Sequence, residues 1–361
     1  MPSPTPDVLI IGGGFAGAST AFHLSEVYRG SILVIDREKV PGVHASGRNA
    51  GLIRQSVTDP MIRRAVASSQ LHYAQHSSEV GFRPCGSLLL GKRAQLEEVQ
   101  ETQRIASFFR TPDEVRRRVP LLDGHPFEVA LETPADGVTD IWALLQHYLR
   151  GARARGVQVR LDCEVRSISG PSPYRVETSR GPIEASYLIN AAGAWAPQIA
   201  EMAGATPLPL VPWKRHLFLL ERVGGVQSQW PFVWNLDRPL YFRPESTGLL
   251  LSICDEERSA VLEPTVSPAI SEAAAELVWN ELPALRGARE RDVWSCFRTK
   301  APDGRFVIGW DPSLERFFWV AGLGGDGVGS SWEVGRLAAG AFSDGEKTPE
   351  DAFAPSRFAA P

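Results

Sequence analysis

Residues 7–36 constrain the fold more than any other stretch of the chain. Val8 to Ile11 is an unbroken apolar run, the pattern of a parallel strand buried on both faces. Gly12, Gly14 and Gly17 follow in GxGxxG spacing with Phe15 and Ala16 between the last two, and "ASTAFHLSEVY" then reads as a helix. A second apolar run, "SILVID", ends at Asp36, with Arg37 after it. The first glycine permits a tight turn, the second lets backbone approach a pyrophosphate, and the third lets helix and strand pack closely. The helix N-terminus offers unpaired N–H groups and a positive dipole end to phosphate. Asp36 stands roughly 20 residues on, where a carboxylate accepts hydrogen bonds from ribose hydroxyls and repels a 2′-phosphate. A lone GxGxxG is often an ordinary turn. Strand, helix, second strand and acid in one register predict a dinucleotide site.

The next segment bears on which dinucleotide. A nicotinamide enzyme usually continues with another strand–helix repeat, whereas "GVHASGRNAGLIRQ" (42–55) is a run of small and polar residues. Such a loop, with Ser46, Arg48 and Asn49 as donors and Gly47, Gly51 and Leu52 around them, suits a path along a pyrophosphate and beneath an isoalloxazine ring. It equally suits a polar surface loop. A second strand–glycine–helix unit is more telling. "RFFWVA" (316–321) reads as a strand. Gly322, Gly324, Gly325, Gly327 and Gly329 follow, with Asp326 and Val328 among them, and "SSWEVGRLAAGAF" reads as a helix. In a flavoprotein, a helix end of this kind aimed at the flavin N1–C2=O edge stabilises negative charge on the reduced ring. A third unit, "YLINAAGAWAPQIAEMAG" (187–204), breaks from strand to helix through Ala191, Ala192, Gly193 and Trp195. Before it, "VQVRLDCEVRSISG" and "YRVETSRGPIEA" alternate like antiparallel strands, and the backbone of Val165 falls where it touches an adenine.

Composition excludes several classes. The chain has 361 residues, 43% of them hydrophobic, enough to bury a large core and the length of two domains or one elaborated domain. A formal charge of -4 gives no bulk reason to expect nucleic acid. No apolar run approaches the roughly 18 residues of a spanning helix, and "MPSPTPD" has neither the basic nor the apolar region of a secretory signal. Cys85, Cys163, Cys254 and Cys296 lack CxxC spacing, which argues against zinc and against a disulfide scaffold. No metal is predicted. The expected location is cytoplasmic, or peripheral to the inner membrane if a quinone takes the electrons.

The three units in this order, with "APDGRFVIG" (301–309) ahead of "GLGGDGVG", resemble the FAD-dependent family of D-amino-acid oxidase, glycine oxidase, sarcosine oxidase and D-amino-acid dehydrogenases. The likeness covers nearly the whole chain and is nearest to the bacterial D-arginine dehydrogenases, through "GVHASGRNAG", "NAAGAWAPQIAEMAG" and "FFWVAGLGGDGVG". It implies an α/β, two-domain plan: a Rossmann-like FAD-binding domain of glutathione-reductase type, with a substrate domain built on an antiparallel sheet. The FAD domain would comprise 1–80, 140–205 and 294–361, and the substrate domain 81–139 and 206–293. "WKRHLFLLER", "LYFRP" and "GLLLSIC" read as strands of the latter. The tail "EDAFAPSRFAAP" is expected to be a strap or a frayed end.

The resemblance also implies roles. Arg298 matches the arginine that clamps the carboxylate of a free amino acid, as its planar, permanently charged fork suits. Tyr241 matches a tyrosine that hydrogen-bonds the same carboxylate. Arg54 lies where sarcosine oxidase carries its carboxylate-binding arginine, and two arginines would suit an anionic or dicarboxylic substrate. Lys214, Arg215 and His216 are expected to alternate between core and solvent, and His44 to make a structural hydrogen bond. Leu52, Val57 and Gly86 depart from the D-arginine dehydrogenase pattern, which has a histidine, a tyrosine and an acid there, so D-arginine would lack its counter-charge. Cys296 falls where sarcosine oxidase links covalently to flavin, although the Arg298 pattern goes with noncovalent FAD. Leu250 and Gly329 replace two lysines of sarcosine oxidase, leaving oxygen, a quinone or another acceptor open. The activity implied is hydride transfer from the CH–NH bond of a D-amino acid, glycine-like or N-alkyl amino acid to flavin N5. The alternatives are a 2-hydroxy-acid dehydrogenase and the flavin subunit of a multisubunit amine oxidase.

Overall fold

The computed structural model describes residues 5–103, 106–171, 173–246, 248–259, 262–266, 268–343 and 351–358. The first four residues of the "MPSPTPD" opening lie outside them. The class is the expected mixed α/β, with four sheets among the described residues.

One sheet has six strands in the order Val307–Trp310, Phe317–Ala321, Tyr187–Asn190, Val8–Ile11, Ile32–Ile35, Gln158–Arg160. The last five run parallel and Val307–Trp310 joins antiparallel at the edge. Strand alternation divides its apolar runs between two cores. Val8, Ile10, Val34, Ile189, Phe318 and Val320 face the helices Phe15–Val27 and Ser331–Ser343. Leu9, Ile11, Leu33, Leu188, Phe317 and Trp319 face the other way, onto the antiparallel strands Val165–Ser169, Tyr174–Thr178 and Ile183–Ala185. Runs buried on both sides must be apolar throughout, which is why they carry no polar alternation. The two helices approach so closely that a Cβ on Gly335 would stand 2.5 Å from the Ser19 carbonyl oxygen.

The first half of "VQVRLDCEVRSISG" differs from expectation. Gln158–Arg160 is a parallel edge strand beside Ile32–Ile35, and only Val165–Ser169 pairs antiparallel. Between them Asp162 takes φ +55°, a left-handed conformation that aspartate tolerates. The chain bends there, with Asp162 N–H on Glu38 O and Cys163 N–H on Asp36 O.

The largest sheet holds nine strands. Glu257–Arg258, Val211–Glu221, Gly248–Ser252, Leu240–Glu245, Phe232–Asn235, Ser87–Gly91, Val129–Thr133 and Phe108–Arg110 follow in that order, and Arg289–Lys300 pairs along Val211–Glu221. The expected antiparallel sheet has one parallel pair, Ser87–Gly91 with Phe232–Asn235. One face, with Phe218, Val233, Phe242 and Leu251, is covered by Ala274 and Val278 of the helix Pro268–Glu281. The other carries Leu217, Tyr241, Leu250 and Cys296 against Ala50 and Leu52 of the 42–55 loop. Arg289–Lys300 runs unbroken through position 293, where a domain boundary was expected.

The described part of the tail is a strap. Phe353 is buried in the core beneath the six-stranded sheet and stacks on Phe306 at 5.4 Å. Among the described residues no helix is long and apolar enough to cross a membrane.

Candidate active site

A cleft with a cavity of about 280 Å³ runs from the first glycine turn, past the 42–49 loop and Ala191–Trp195, to Arg298 and the second glycine turn. Gly12 has φ +114°, and a Cβ there would stand 2.3 Å from Ala191 O; one on Gly17 would stand 1.9 Å from Gly12 O. Only glycine closes this turn. Asp36 holds it from below, with Gly13 N–H on Oδ2 (2.7 Å) and Glu38 N–H on Oδ1 (2.9 Å). Burial pushes its carboxyl pKa up. Two backbone donors leave lone-pair sites on both oxygens for further hydrogen bonds. Ser46 Oγ accepts from Phe15 N–H at 2.9 Å, bringing the loop over the helix start. The Gly14 and Ala16 N–H groups at that helix end have no partner among the described residues.

At the far end of this half, Arg37 lies 3.8 Å over the Trp195 ring and is paired with Glu38. His44 bonds Glu38 at 2.8 Å, the structural role expected of it, and burial lowers its pKa. Val165 lines the cleft together with Cys163, Glu164, Gln198, Ile199 and Met202. These neighbours escaped the sequence reading. Gln198 and Met202 share a face of the helix Ala196–Ala203, one turn apart, but their types carry no ligand signal.

Several predicted residues build the walls without lining the cavity. Gly47 packs its Cα against Gly42 O and Gly51 against Thr139 O, each too close for a Cβ. Arg48 donates to Ser295 O at 3.5 Å and its carbonyl accepts from Trp294 Nε1 at 3.1 Å, tying the loop to the large sheet. Asn49 lines the cleft, yet its amide bonds Ala45 O, Ser46 O and Gly51 N–H. Leu52 joins the apolar cluster around Tyr241, and Gly329 packs on Val66.

In the second turn Gly322 (φ +70°) and Gly324 (φ +55°) take left-handed conformations, and Gly325, Gly327 and Val328 line the cleft. The turn rests on buried hydroxyls absent from the sequence reading. Tyr73 Oη donates to Val328 O (3.0 Å), accepts from Trp332 N–H (3.3 Å) and meets Ser331 Oγ (2.8 Å), which also meets Tyr148 Oη (3.0 Å).

Strand register places the predicted substrate residues. Arg298 lies opposite Trp213, Cys296 opposite Arg215, and Tyr241 opposite Trp234 and Ser252. Arg298 lines the cleft beside Gly325, whose Cβ would be 3.3 Å from Nη1. It has no hydrogen bond or ion pair among the described residues. Burial disfavours its charge, but Tyr241, Cys296 and Cys254, each a negative neighbour only once ionised, and the Asp326 carboxylate raise its pKa above the usual arginine value. Tyr241 is 2% exposed, its ring 4.6 Å from Trp234, and burial pushes its pKa up, so it is a neutral hydroxyl. Neither Tyr241, Arg54 nor Asp326 lines the cleft itself. Arg54 stacks 4.4 Å over the same Trp234 and donates to Ser56 O and Ser56 Oγ.

The run 214–216 does not alternate as expected. Lys214, Arg215 and His216 are all buried, because the segment 255–257 covers the strand and pairs with each: Glu257, Glu256 and Asp255 in turn. Gly86 has φ +82°, which accounts for glycine where the resembled pattern has an acid.

Asp136, fully buried, accepts from Ser87 Oγ (2.7 Å) and Gln55 N–H (3.0 Å), and burial pushes its pKa up to about 6. Folding favours the protonated form, so the stability it lends is complete below about pH 4 and is lost as pH rises through about 6. Asp136→Asn is expected to raise the Tm at neutral pH, by up to about 3 kcal/mol of stability, and to flatten the Tm profile between about pH 4 and 7. Parallel profiles for the two chains would contradict this.

Comparison with known proteins agrees with this geometry. The family model described as FAD dependent oxidoreductase (DAO) matches residues 7–341. Mitochondrial sarcosine dehydrogenase of Mus musculus is 26% identical over 358 residues, covering 91% of this chain and 38% of that protein, so the chain spans about two fifths of that relative's length. L-proline dehydrogenase from P. horikoshii superposes with a TM-score of 0.88 at 24% identity over 98% of both chains. Glycine oxidase from Geobacillus kaustophilus does so with a TM-score of 0.85 at 21% identity, over 98% of this chain and 99% of the other. At these identities the structural likeness is one of fold. The lining suits FAD: glycines at which a Cβ would collide, N–H groups at a helix start that have no partner among the described residues, and a half-buried acid at the end of the second strand.

Proposed function

The chain belongs to the family of FAD dependent oxidoreductases, and from that premise we propose that it oxidises the CH–NH bond of an amino acid. The observation that carries the reading is Arg298, a guanidinium at the cleft wall beside the second glycine turn that has no hydrogen bond or ion pair among the described residues. A guanidinium whose donors are unfilled offers its planar fork to a carboxylate in bidentate contact.

Arg298 fixes the substrate carboxylate, and Tyr241 adds a neutral hydroxyl donor to it. Leu217, Leu250 and Cys296 present an apolar face that keeps water from the reacting carbon. Bound FAD supplies the two-electron acceptor for the hydride of Cα–H, and water hydrolyses the released imino acid. No side-chain base is assigned; the amine arrives neutral, and positioning supplies the acceleration. Burial pushes the Cys296 thiol up, away from the nucleophilic thiolate, which supports noncovalent FAD. We further propose that 1–80, 140–205 and 294–361 hold the cofactor, that 81–139 and 206–293 shape the substrate side, and that the chain is cytoplasmic, passing electrons to oxygen, a quinone or another acceptor.

The test is anaerobic titration of the purified yellow protein with D-, L- and N-alkyl amino acids and with 2-hydroxy acids. Bleaching of the visible flavin band by an amino acid is expected. Bleaching by hydroxy acids alone would make the chain a 2-hydroxy-acid dehydrogenase, and bleaching by neither would make it a flavin subunit. On acid precipitation the colour is expected in the supernatant; colour retained in the pellet would indicate a covalent link at Cys296. Tyr241→Phe is expected to lower kcat/KM about tenfold, the worth of one hydrogen bond to a charged group, and an unchanged value would remove Tyr241 from the site.

A further inference from the structure

Four cations on or beside the substrate face of the large sheet each have a carboxylate within 4 Å. Lys214 has Glu257, Arg215 and Lys300 share Glu256, and Arg243 has Glu245. Arg54 and Arg298 do not. Among the described residues neither makes an ion pair. Among the same residues Arg298 makes no hydrogen bond, and Arg54 uses only Nη1, on the neutral oxygens of Ser56. Both are partly buried. Besides burial, the charge of Arg298 itself disfavours the charge on Arg54, so the two guanidinium groups act on each other. Asp326 and Asp136 act on Arg54 through space without occupying its donors, and Asp136 is committed to Ser87 and Gln55.

A single aromatic platform joins the pair. Arg54 lies over Trp234, Trp234 against Tyr241, and Tyr241 on the sheet face that carries Arg298. Stacking orders the Arg54 fork and leaves its Nε and Nη2 donors in reserve, as a receptor for a planar anion requires. The Nε and Nη2 edge of Arg54 and the fork of Arg298 thus each have donors open to a carboxylate.

We propose that Arg54 is a specificity residue, and that the preferred substrate carries a second carboxylate, as in an acidic amino acid or an N-carboxyalkyl amino acid. The first carboxylate goes to Arg298 and the second to Arg54. This rests on the amino-acid reading above, and its test is independent of turnover. The holoenzyme is titrated with succinate and glutarate, and with butyrate and pentanoate of matching length, while the flavin spectrum is followed. The diacids are expected to bind about tenfold tighter or more. Arg54→Met is expected to erase that preference, and Arg54→Lys, which keeps charge but loses the fork, to restore part of it. Equal affinities in the unaltered protein, no binding of either class, or a preference that survives in both variants would each overturn the proposal. If only hydroxy acids bleach the flavin while diacids still bind tighter, the amine reading fails and the two-carboxylate receptor stands.

Discussion

Gly17→Val is expected to give a protein without colour. A Cβ at this position would lie 1.9 Å from Gly12 O, which is backbone and cannot rotate away. Helix and strand must then separate by more than an ångström. That displaces the Gly14 and Ala16 N–H groups from any phosphate and undoes the close approach of Gly12 to Ala191 O. Overpacking alone costs about 1–3 kcal/mol, and the lost cofactor contacts add to it because ligand binding stabilises the native state by mass action. The ratio of flavin to protein absorbance after purification is expected to fall at least tenfold, with a lowered Tm. Gly340→Ala is the control. It lies in the helix Ser331–Ser343, nothing stands within 4 Å of its Cβ, and its φ is ordinary. It should keep its colour and gain about 0.5–1 kcal/mol of stability. Full flavin content in Gly17→Val would show that the turn does not hold the pyrophosphate.

Arg298→Ala is expected to lower kcat/KM for the best amino acid by more than a hundredfold, about 3 kcal/mol, as for truncation of one member of a buried charge pair. Arg298→Lys should recover only part, because an ammonium cannot pair bidentately. Arg298 also borders the cleft proposed for the cofactor, so flavin content must be measured in the same preparations. A loss of kcat/KM at full flavin content assigns the arginine to substrate; equal activity in all three chains would remove it from the site.

The parts of the molecule readable in advance share one property. Gly12, Gly17, Gly322 and Gly324 sit where the backbone needs left-handed φ or a contact that no side chain allows, and a local demand of that kind is written as a residue type. Unbroken apolar runs likewise announced the parallel sheet, since a strand covered on both faces has no polar side to show. Gln158–Arg160 was misassigned for the opposite reason. Three residues carry too little pattern to tell a parallel edge from an antiparallel one, and the bend at Asp162 that separates the two is a tertiary event.

The cleft-side face of the large sheet belongs to the second kind. Lys214, Arg215 and His216 read as an alternating strand, but the segment that folds over them supplies an acid to each, and nothing local foretells that cover. Trp234, which joins Arg54 to Tyr241, carried no signal until pairing of Phe232–Asn235 with Leu240–Glu245 set it beside Tyr241. The Tyr73, Tyr148 and Ser331 hydroxyls under the second glycine turn meet only because three helices converge. The chain by itself therefore determined the two glycine turns of the cleft, where the requirement is steric and local. Which side chains face the cleft, and which cations there find an acid among the described residues, was decided only in the folded molecule, because pairing and burial are settled between residues far apart in sequence.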